Sequence, residues 1–472
     1  MTARVTSQAI SVPTHTGSSM LKARQAIHTY PFKYKPMTPE EIFRPQQAAI
    51  YIHVPFCVKK CHFCDFVVRT NSTEDVRQRY VDAVCDEIRL FAEGHSFGNL
   101  AIDAIYVGGG TPSLLSEAQL LRVIETCRDH FTVLDGAELT VEFEPLTVSA
   151  AKVKALRAGG VNRASMGVQS FENELLVASN RSHKAADVYV ALNVFAAAGL
   201  NNVNVDLIYP LPGMTWGMWA STVQRTLSVH PAAVSLYALE IWPGTPYDSW
   251  NSAGKLGLPG PDTEVAMYLH AARLLEEAGY AAESVNGYVD RRIAQSYCRY
   301  LEYYWRLKPL IGFGVSARSA FAEQLWRNCN SLTSYLAAVS QGRLPVDLGC
   351  VMTKQQEMRR FMIRGLKTCE LAKADFMARF GVEMHQVFGD QLARLATEGA
   401  LVETDDAVKL TMNGRAFAPN VYQHFYTHSD LGKASPGEVT YGVSSWSTSG
   451  ASAPVPSAPV PSARARADRH QA

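Results

Sequence analysis

Cys57, Cys61 and Cys64 lie within the stretch HVPFCVKKCHFCDF at positions 53–66. Thiolates are soft ligands, and a C-x3-C-x2-C spacing lets one short loop wrap a single inorganic centre. A four-iron, four-sulfide cluster normally takes four protein thiolates. Three leave one iron open, and an open iron can chelate a small molecule and pass it an electron. Zinc is the competing occupant, but a structural zinc site takes four protein ligands. The other cysteines (Cys85, Cys127, Cys298, Cys329, Cys350 and Cys369) are scattered singly, several of them on helical stretches, and core packing accounts for them.

Further polar residues are spread along the chain. A glycine run precedes Thr111 in YVGGGTPSLL (106–115), and Glu142 and Glu144 share VEFEP (141–145). Gln169 lies in RASMGVQSF, Arg181 in SNRSH, and Asp206 in NVDLIYPLPG. Taken one at a time these are turn or solvated loop residues. Each, however, falls at the end of a strand candidate or just beyond one.

The elements that must position them are short β-rich runs alternating with amphipathic stretches of helical length. The strand candidates span 49–54, 101–107, 138–143, 163–168, 202–209 and 232–239; helices are expected at 76–94, 116–131 and 184–199. Alternating strands and helices argue for βαβ units and a parallel sheet. Six units make an α/β fold, a partial (β/α)6 barrel, whose chemistry collects at the strand ends. We assign residues 1–48 to an N-terminal arm, 49–325 to the barrel and 326–427 to a small α+β domain of winged-helix appearance. Residues 428–472, rich in Ser, Gly, Ala and Pro and repeating APVPS, form a tail too poor in apolar residues to fold.

With 45 basic and 44 acidic residues the chain has no basic excess to recommend a nucleic-acid partner. No apolar run is long enough for a membrane span, and the N-terminus lacks a secretory signal. A cytoplasmic monomer is expected.

C-x3-C-x2-C at the end of a first strand resembles the radical S-adenosylmethionine superfamily. YIHVPFCVKKCHFCDF is similar to one branch of it, that of oxygen-independent coproporphyrinogen III dehydrogenase, the haem chaperone HemW and the class C radical methyltransferases. The resemblance covers about residues 49–425 and includes IGFGVSARSA (311–320) and LTMNGRAFAPN (410–420). It implies a HemN-like C-terminal domain and a [4Fe–4S] cluster on Cys57, Cys61 and Cys64. It also implies S-adenosylmethionine, two molecules of it, held by Tyr51, Phe63, Gly109, Gly110, Thr111, Glu142, Gln169, Arg181, Asp206 and Ala238. Spare backbone N–H groups of the glycine segment would take the methionine carboxylate. A reducing partner such as flavodoxin or ferredoxin would supply the electron. Two positions depart from the family: Glu144 stands where Asn or Asp is common, and Arg318 where the dehydrogenase has an apolar residue.

The branch offers three activities. The dehydrogenase decarboxylates a tetrapyrrole, but it carries a fourth cysteine where this chain has Phe66. The haem chaperone is a shorter protein, without the arm containing HTYPFKYKPM (28–37) or the loop-rich aromatic insertion at 284–310. The class C enzymes transfer a methyl or methylene group to an sp2 carbon of an unsaturated substrate, giving methylation or cyclopropanation. From sequence, this third activity is the expected one, with the dehydrogenase as the alternative and the chaperone after it.

Overall fold

The computed structural model describes residues 46–95, 100–293, 295–321 and 323–427. The tail, and all but the end of the N-terminal arm, lie outside the described residues.

The strands of the main sheet are, in chain order, β1 (Gln47–Val54), β2 (Ala101–Gly109), β3 (Thr132–Phe143), β4 (Arg163–Gln169), β5 (Val203–Tyr209), β6 (Ala233–Ala238), β7 (Tyr280–Ala282), β8 (Gly287–Asp290), β9 (Leu310–Phe313), β10 (Arg318–Phe321), β11 (Gln324–Asn328) and β12 (Val346–Val351). Their spatial order is β12-β11-β10-β9-β1-β2-β3-β4-β5-β6-β8-β7. Strands β1 to β6 run parallel in sequence order, and β9 joins β1 in the same sense. All six strand candidates are present. The sheet is open, ending at β12 and β7, with antiparallel strands extending both sides of the parallel set.

Helices α1 (Glu74–His95), α2 (Glu117–His130), α3 (Ala150–Ala158), α4 (Asn173–Ala178), α5 (Ala185–Ala197), α6 (Trp216–Ser228), α7 (Pro246–Ser252) and α8 (Pro261–Glu277) connect the strands up to β7. Local chemistry sets their starts. Glu74 and Asp75 place negative charge at the N-terminus of α1, and Ser116 with Gln119 forms a reciprocal capping box on α2.

Alternation along β1 and β2 sorts side chains onto two faces. Ile50, Ile52, Ile105 and Val107 join the large core under the helices, with Cys85 and Cys127. Ala49, Tyr51, Ala104 and Tyr106 face the other way, into a smaller cluster with Cys298, Tyr300 and Tyr303. The two alanines leave room there for tyrosine rings.

Those rings belong to α9 (Arg299–Trp305). The 284–310 segment, loop-rich as expected, also holds β8 and α9. α9 is only seven residues long, and its aromatic face packs across the inner side of β1 and β2.

α10 (Leu332–Ser340) joins β11 to β12, and the expected division at 325/326 falls inside β11. A second core follows, in which Phe361, Phe376, Phe380 and Phe388 bring together α11 (Lys354–Gly365), α12 (Lys373–Phe380) and α13 (Met384–Thr397). Strands β13 (Glu370–Ala372), β14 (Leu401–Glu403) and β15 (Ala407–Leu410) make a small sheet, with β14 and β15 as the expected hairpin.

Candidate cofactor and substrate site

The loop after β1 carries Cys57, Cys61 and Cys64, all three unbridged and partly exposed. Two short strands, Phe56–Cys57 and Arg69–Thr70, brace its ends. Neighbours hold it from outside: Asn180 Nδ2 donates to the Lys60 carbonyl (2.8 Å), and the Ser179 carbonyl accepts from the His62 N–H (3.2 Å). Thr111 Oγ1 lies 3.5 Å from Cys57 Sγ, and Arg181 Nη1 lies 3.4 Å from Cys61 Sγ. Burial raises the pKa of Cys57, and it pushes Cys64 up to about 12, with a further push from the neighbouring thiols.

Among the described residues no three His, Cys, Asp or Glu side chains converge on one metal ion. Three thiols on one loop suit a cubane, in which each thiolate would bind a different iron and the three need not meet at a point. Its charge would offset the cost of ionising buried thiols.

The glycine segment explains why side chains are missing there. Gly109 has φ +114°, and a Cβ on it would lie 2.6 Å from the His53 ring; one on Gly110 would lie 2.8 Å from the Phe56 carbonyl and 3.0 Å from Cys57 Sγ. The expected spare N–H groups are not spare. Gly109 N–H donates to Glu142 Oε2 (2.9 Å), Gly110 N–H to the Val54 carbonyl (2.8 Å) and Thr111 N–H to the Phe56 carbonyl (2.7 Å). The segment packs the second strand's end against the cysteine loop, and these amides are used in doing so.

The remaining expected residues converge from successive strand ends. Glu142 accepts from Tyr106 Oη at 2.7 Å; burial, opposed by this hydrogen bond and assisted by Asp206, carries its pKa to about 7. Asp206 accepts from Ser165 Oγ (3.1 Å) and Asn204 Nδ2 (2.8 Å), and burial raises its pKa. Gln169 sits at a register shift between β4 and β5 with φ +67°, its Oε1 buried and without a partner. Arg181 donates from Nη2 to the Gly167 carbonyl at 2.6 Å, and its Nε is likewise buried without a partner.

One cavity of about 470 Å³ is lined by Cys57, Cys61, Phe63, Cys64, Gly109, Gly110, Thr111, Glu142, Gln169, Arg181, Asp206 and Ala238. Tyr51 is not among them. Its inward-facing position on β1 places it in an adjoining cavity of about 560 Å³, which shares Asp65, Phe66, Gly109, Glu142, Ser165 and Tyr237 with the first. Orphaned amide and guanidinium atoms beside a thiol loop, with two carboxylates opposite, suit a zwitterionic, cationic amino-acid derivative chelated to the open iron.

The sequence reading missed several contributors. Tyr106, two residues before the glycines, orients Glu142. Ser165, Asn204 and Ser235 form the network around Asp206. His183, in the same SNRSH stretch as Arg181, bonds Glu144. The second cavity also takes Arg163, Arg327, Arg360 and Arg364, from elements far apart in the chain, and no local motif marks them.

The fold and the three-cysteine loop define a radical S-adenosylmethionine protein, and residues 51–226 match the family described as "Radical SAM superfamily". Residues 352–417 match the "HemN C-terminal domain". The heme chaperone HemW of Bacillus subtilis is 30% identical over 378 residues, 79% of this chain and 98% of that protein. The oxygen-independent coproporphyrinogen III oxidase of Escherichia coli is 27% identical over 398 residues, 80% of this chain and 85% of the relative. The solved structure of coproporphyrinogen III oxidase (HemN) from Escherichia coli superposes with a TM-score of 0.73 at 24% identity, covering 85% of this chain and 97% of that one. Within the radical S-adenosylmethionine superfamily, the chain belongs to the HemN/HemW family. The cofactors of that superfamily are a [4Fe–4S] cluster and S-adenosylmethionine. No described helix is long and apolar enough to cross a membrane.

Proposed function

We propose that the chain oxidises an unsaturated substrate bearing several carboxylates, a tetrapyrrole of the coproporphyrinogen type, with loss of carbon dioxide. The observation that carries this reading is the second cavity. Tyr106 and Tyr300 stack there with ring centroids 4.5 Å apart, and Tyr51 lies 5.7 Å from Tyr300. Arg163, Arg318, Arg327, Arg360, Arg364 and Lys308 line it, against the carboxylates Asp65 and Glu142. Arg327 pairs with Asp347 and Lys308 with Glu302. Aromatic rings suit packing against the individual pyrrole rings, and guanidinium groups favour carboxylates. Arg318, a departure from the family in sequence, fits this account as one of the carboxylate-facing cations.

In this reading Cys57, Cys61 and Cys64 hold the cluster, while Phe63, Gly109, Gly110, Thr111, Glu142, Gln169, Arg181, Asp206 and Ala238 hold S-adenosylmethionine. When bound, these cofactors together supply an abstractor of hydrogen atoms. A second S-adenosylmethionine would lie across Glu142 toward Tyr51, where the cavities join. A one-electron donor, flavodoxin or ferredoxin, is the proposed reductant, and its oxidised form the proposed acceptor of the electron that the substrate radical gives up with carbon dioxide. Anaerobic incubation of cluster-loaded protein with coproporphyrinogen III tests the reading: carbon dioxide and 5′-deoxyadenosine should form together. Stoichiometric haem binding without turnover would instead favour a chaperone like HemW.

Methylene transfer, the activity expected from sequence, is the second reading, and neither curated relative described above bears such a name. What favours it is Phe66, an exposed ring at the seam between the cavities. It would give S-adenosylhomocysteine, which decarboxylation does not.

A further inference from the structure

We propose that the buried pair of His183 and Glu144 is the positioning device keeping Gln169 and Arg181 turned into the cofactor cavity. The inference rests on assigning that cavity to S-adenosylmethionine.

The argument starts from a backbone that needs holding. Gln169 occupies the left-handed region, which a residue with a Cβ keeps only when its surroundings enforce it. Two carbonyls just before it are gripped from the same segment. Arg181 Nη2 donates to Gly167, and His183 Nε2 lies 3.1 Å from the Val168 carbonyl. That segment also reaches the cysteine loop, through Asn180 to the Lys60 carbonyl and through Arg181 to Cys61.

The His183 ring is held at both nitrogens. Its Nε2 meets the Val168 carbonyl, and its Nδ1 lies 3.0 Å from Glu144 Oε1, so Glu144 fixes the ring that grips the strand end. The ring is 2% exposed, and the other Glu144 oxygen accepts from Leu146 N–H at 2.9 Å, fixing the carboxylate. Other charges nearby are Arg181 and Lys184 on the same segment, and Lys152 of α3, whose Nζ donates to the Ser113 carbonyl beside Glu144. Glu144 is the carboxylate in contact with the ring. The second acid of VEFEP thus acts through His183 rather than on the cofactor.

Two measurements on the full chain test this. Nitrogen-15 spectra of labelled histidine should show the His183 ring resonances moved in Glu144→Gln, with those of His53 in place. Calorimetric titration of cluster-loaded protein with S-adenosylmethionine should show about tenfold weaker binding in Glu144→Gln. The double variant with His183→Gln should be no weaker, since the two residues act as a unit. Unmoved His183 resonances in Glu144→Gln, or additive losses in the double variant, overturn the pairing. Failure of the parent to bind S-adenosylmethionine would overturn the cavity assignment instead, so the two failures are distinguishable.

Discussion

The two adjoining cavities are built in opposite ways. The first is assembled from the cysteine loop after β1 and from the ends of β2 to β6 with the loops that follow them. The second shares inward-facing residues of β1 to β6 and adds residues from α9, from the antiparallel extension β10–β11, and from α11 of the C-terminal region. A parallel sheet delivers its strand ends to one edge by topology alone, so the first cavity needs little more than correct strand order. The second depends on packing between segments far apart in the chain, as when Tyr303 reaches Asp103, 200 positions away. One region is set by strand order, and the other by tertiary fit.

The largest expected effect separates the cavities outright. Cys61→Ala should lower S-adenosylmethionine cleavage by more than about a thousandfold, with or without a second-cavity substrate, because a cubane does not survive loss of a ligand on its three-thiolate loop. Assay of 5′-deoxyadenosine checks this; cleavage at the parent rate would remove the cluster from the loop. Next in size is the second cavity's charge. Replacing Arg360 and Arg364 with Met should weaken binding of coproporphyrin III by about 10–100-fold, the loss expected for charge-assisted hydrogen bonds. Its tetramethyl ester should bind both proteins alike, and equal losses for acid and ester would point to packing instead of charge recognition.

This contrast also explains what could be read from sequence. Cys57, Cys61 and Cys64, Glu142, Gln169 and Asp206 stand at strand ends, and the strands declare themselves by apolar runs buried on both faces, as in β1 and β5. Tyr51 was visible as a candidate, but its cavity was not, because alternation sends it to the opposite side from Ile50 and Ile52. The glycine run was legible as a close approach of backbone, whereas the fate of its N–H groups depended on where Glu142, Val54 and Phe56 would lie. Arg360 and Arg364 are one helical turn apart on α11 and thus share a face, yet nothing local says which face meets the barrel mouth. The departure at Glu144 was legible; its partner required the fold.

Smaller effects refine the comparison. Tyr300→Ala should weaken porphyrin binding about three- to tenfold, the range for one aromatic stack, measured by fluorescence quenching. In the wall behind the second cavity, Glu87 of α1 accepts from Tyr335 Oη (2.6 Å), Asn328 Nδ2 (2.6 Å) and the Gly314 N–H (2.8 Å). Burial, only partly offset by these bonds, raises its pKa from 4.5 to about 7. A carboxyl raised on folding contributes most below pH 4.5, and that contribution is lost as pH climbs through 7. Up to about 3 kcal/mol of stability should disappear between pH 5 and 8. Thermal melts of Glu87→Gln should lack that part of the slope; an unchanged slope would place the titration elsewhere.

The most direct test follows one hydrogen atom. Coproporphyrinogen III deuterated along its propionate side chains should transfer deuterium into 5′-deoxyadenosine, with carbon dioxide released in step. Unlabelled 5′-deoxyadenosine from that substrate, together with deuterium acquired from S-adenosylmethionine carrying a deuterated methyl group, would contradict decarboxylation and assign the second cavity to methylene transfer.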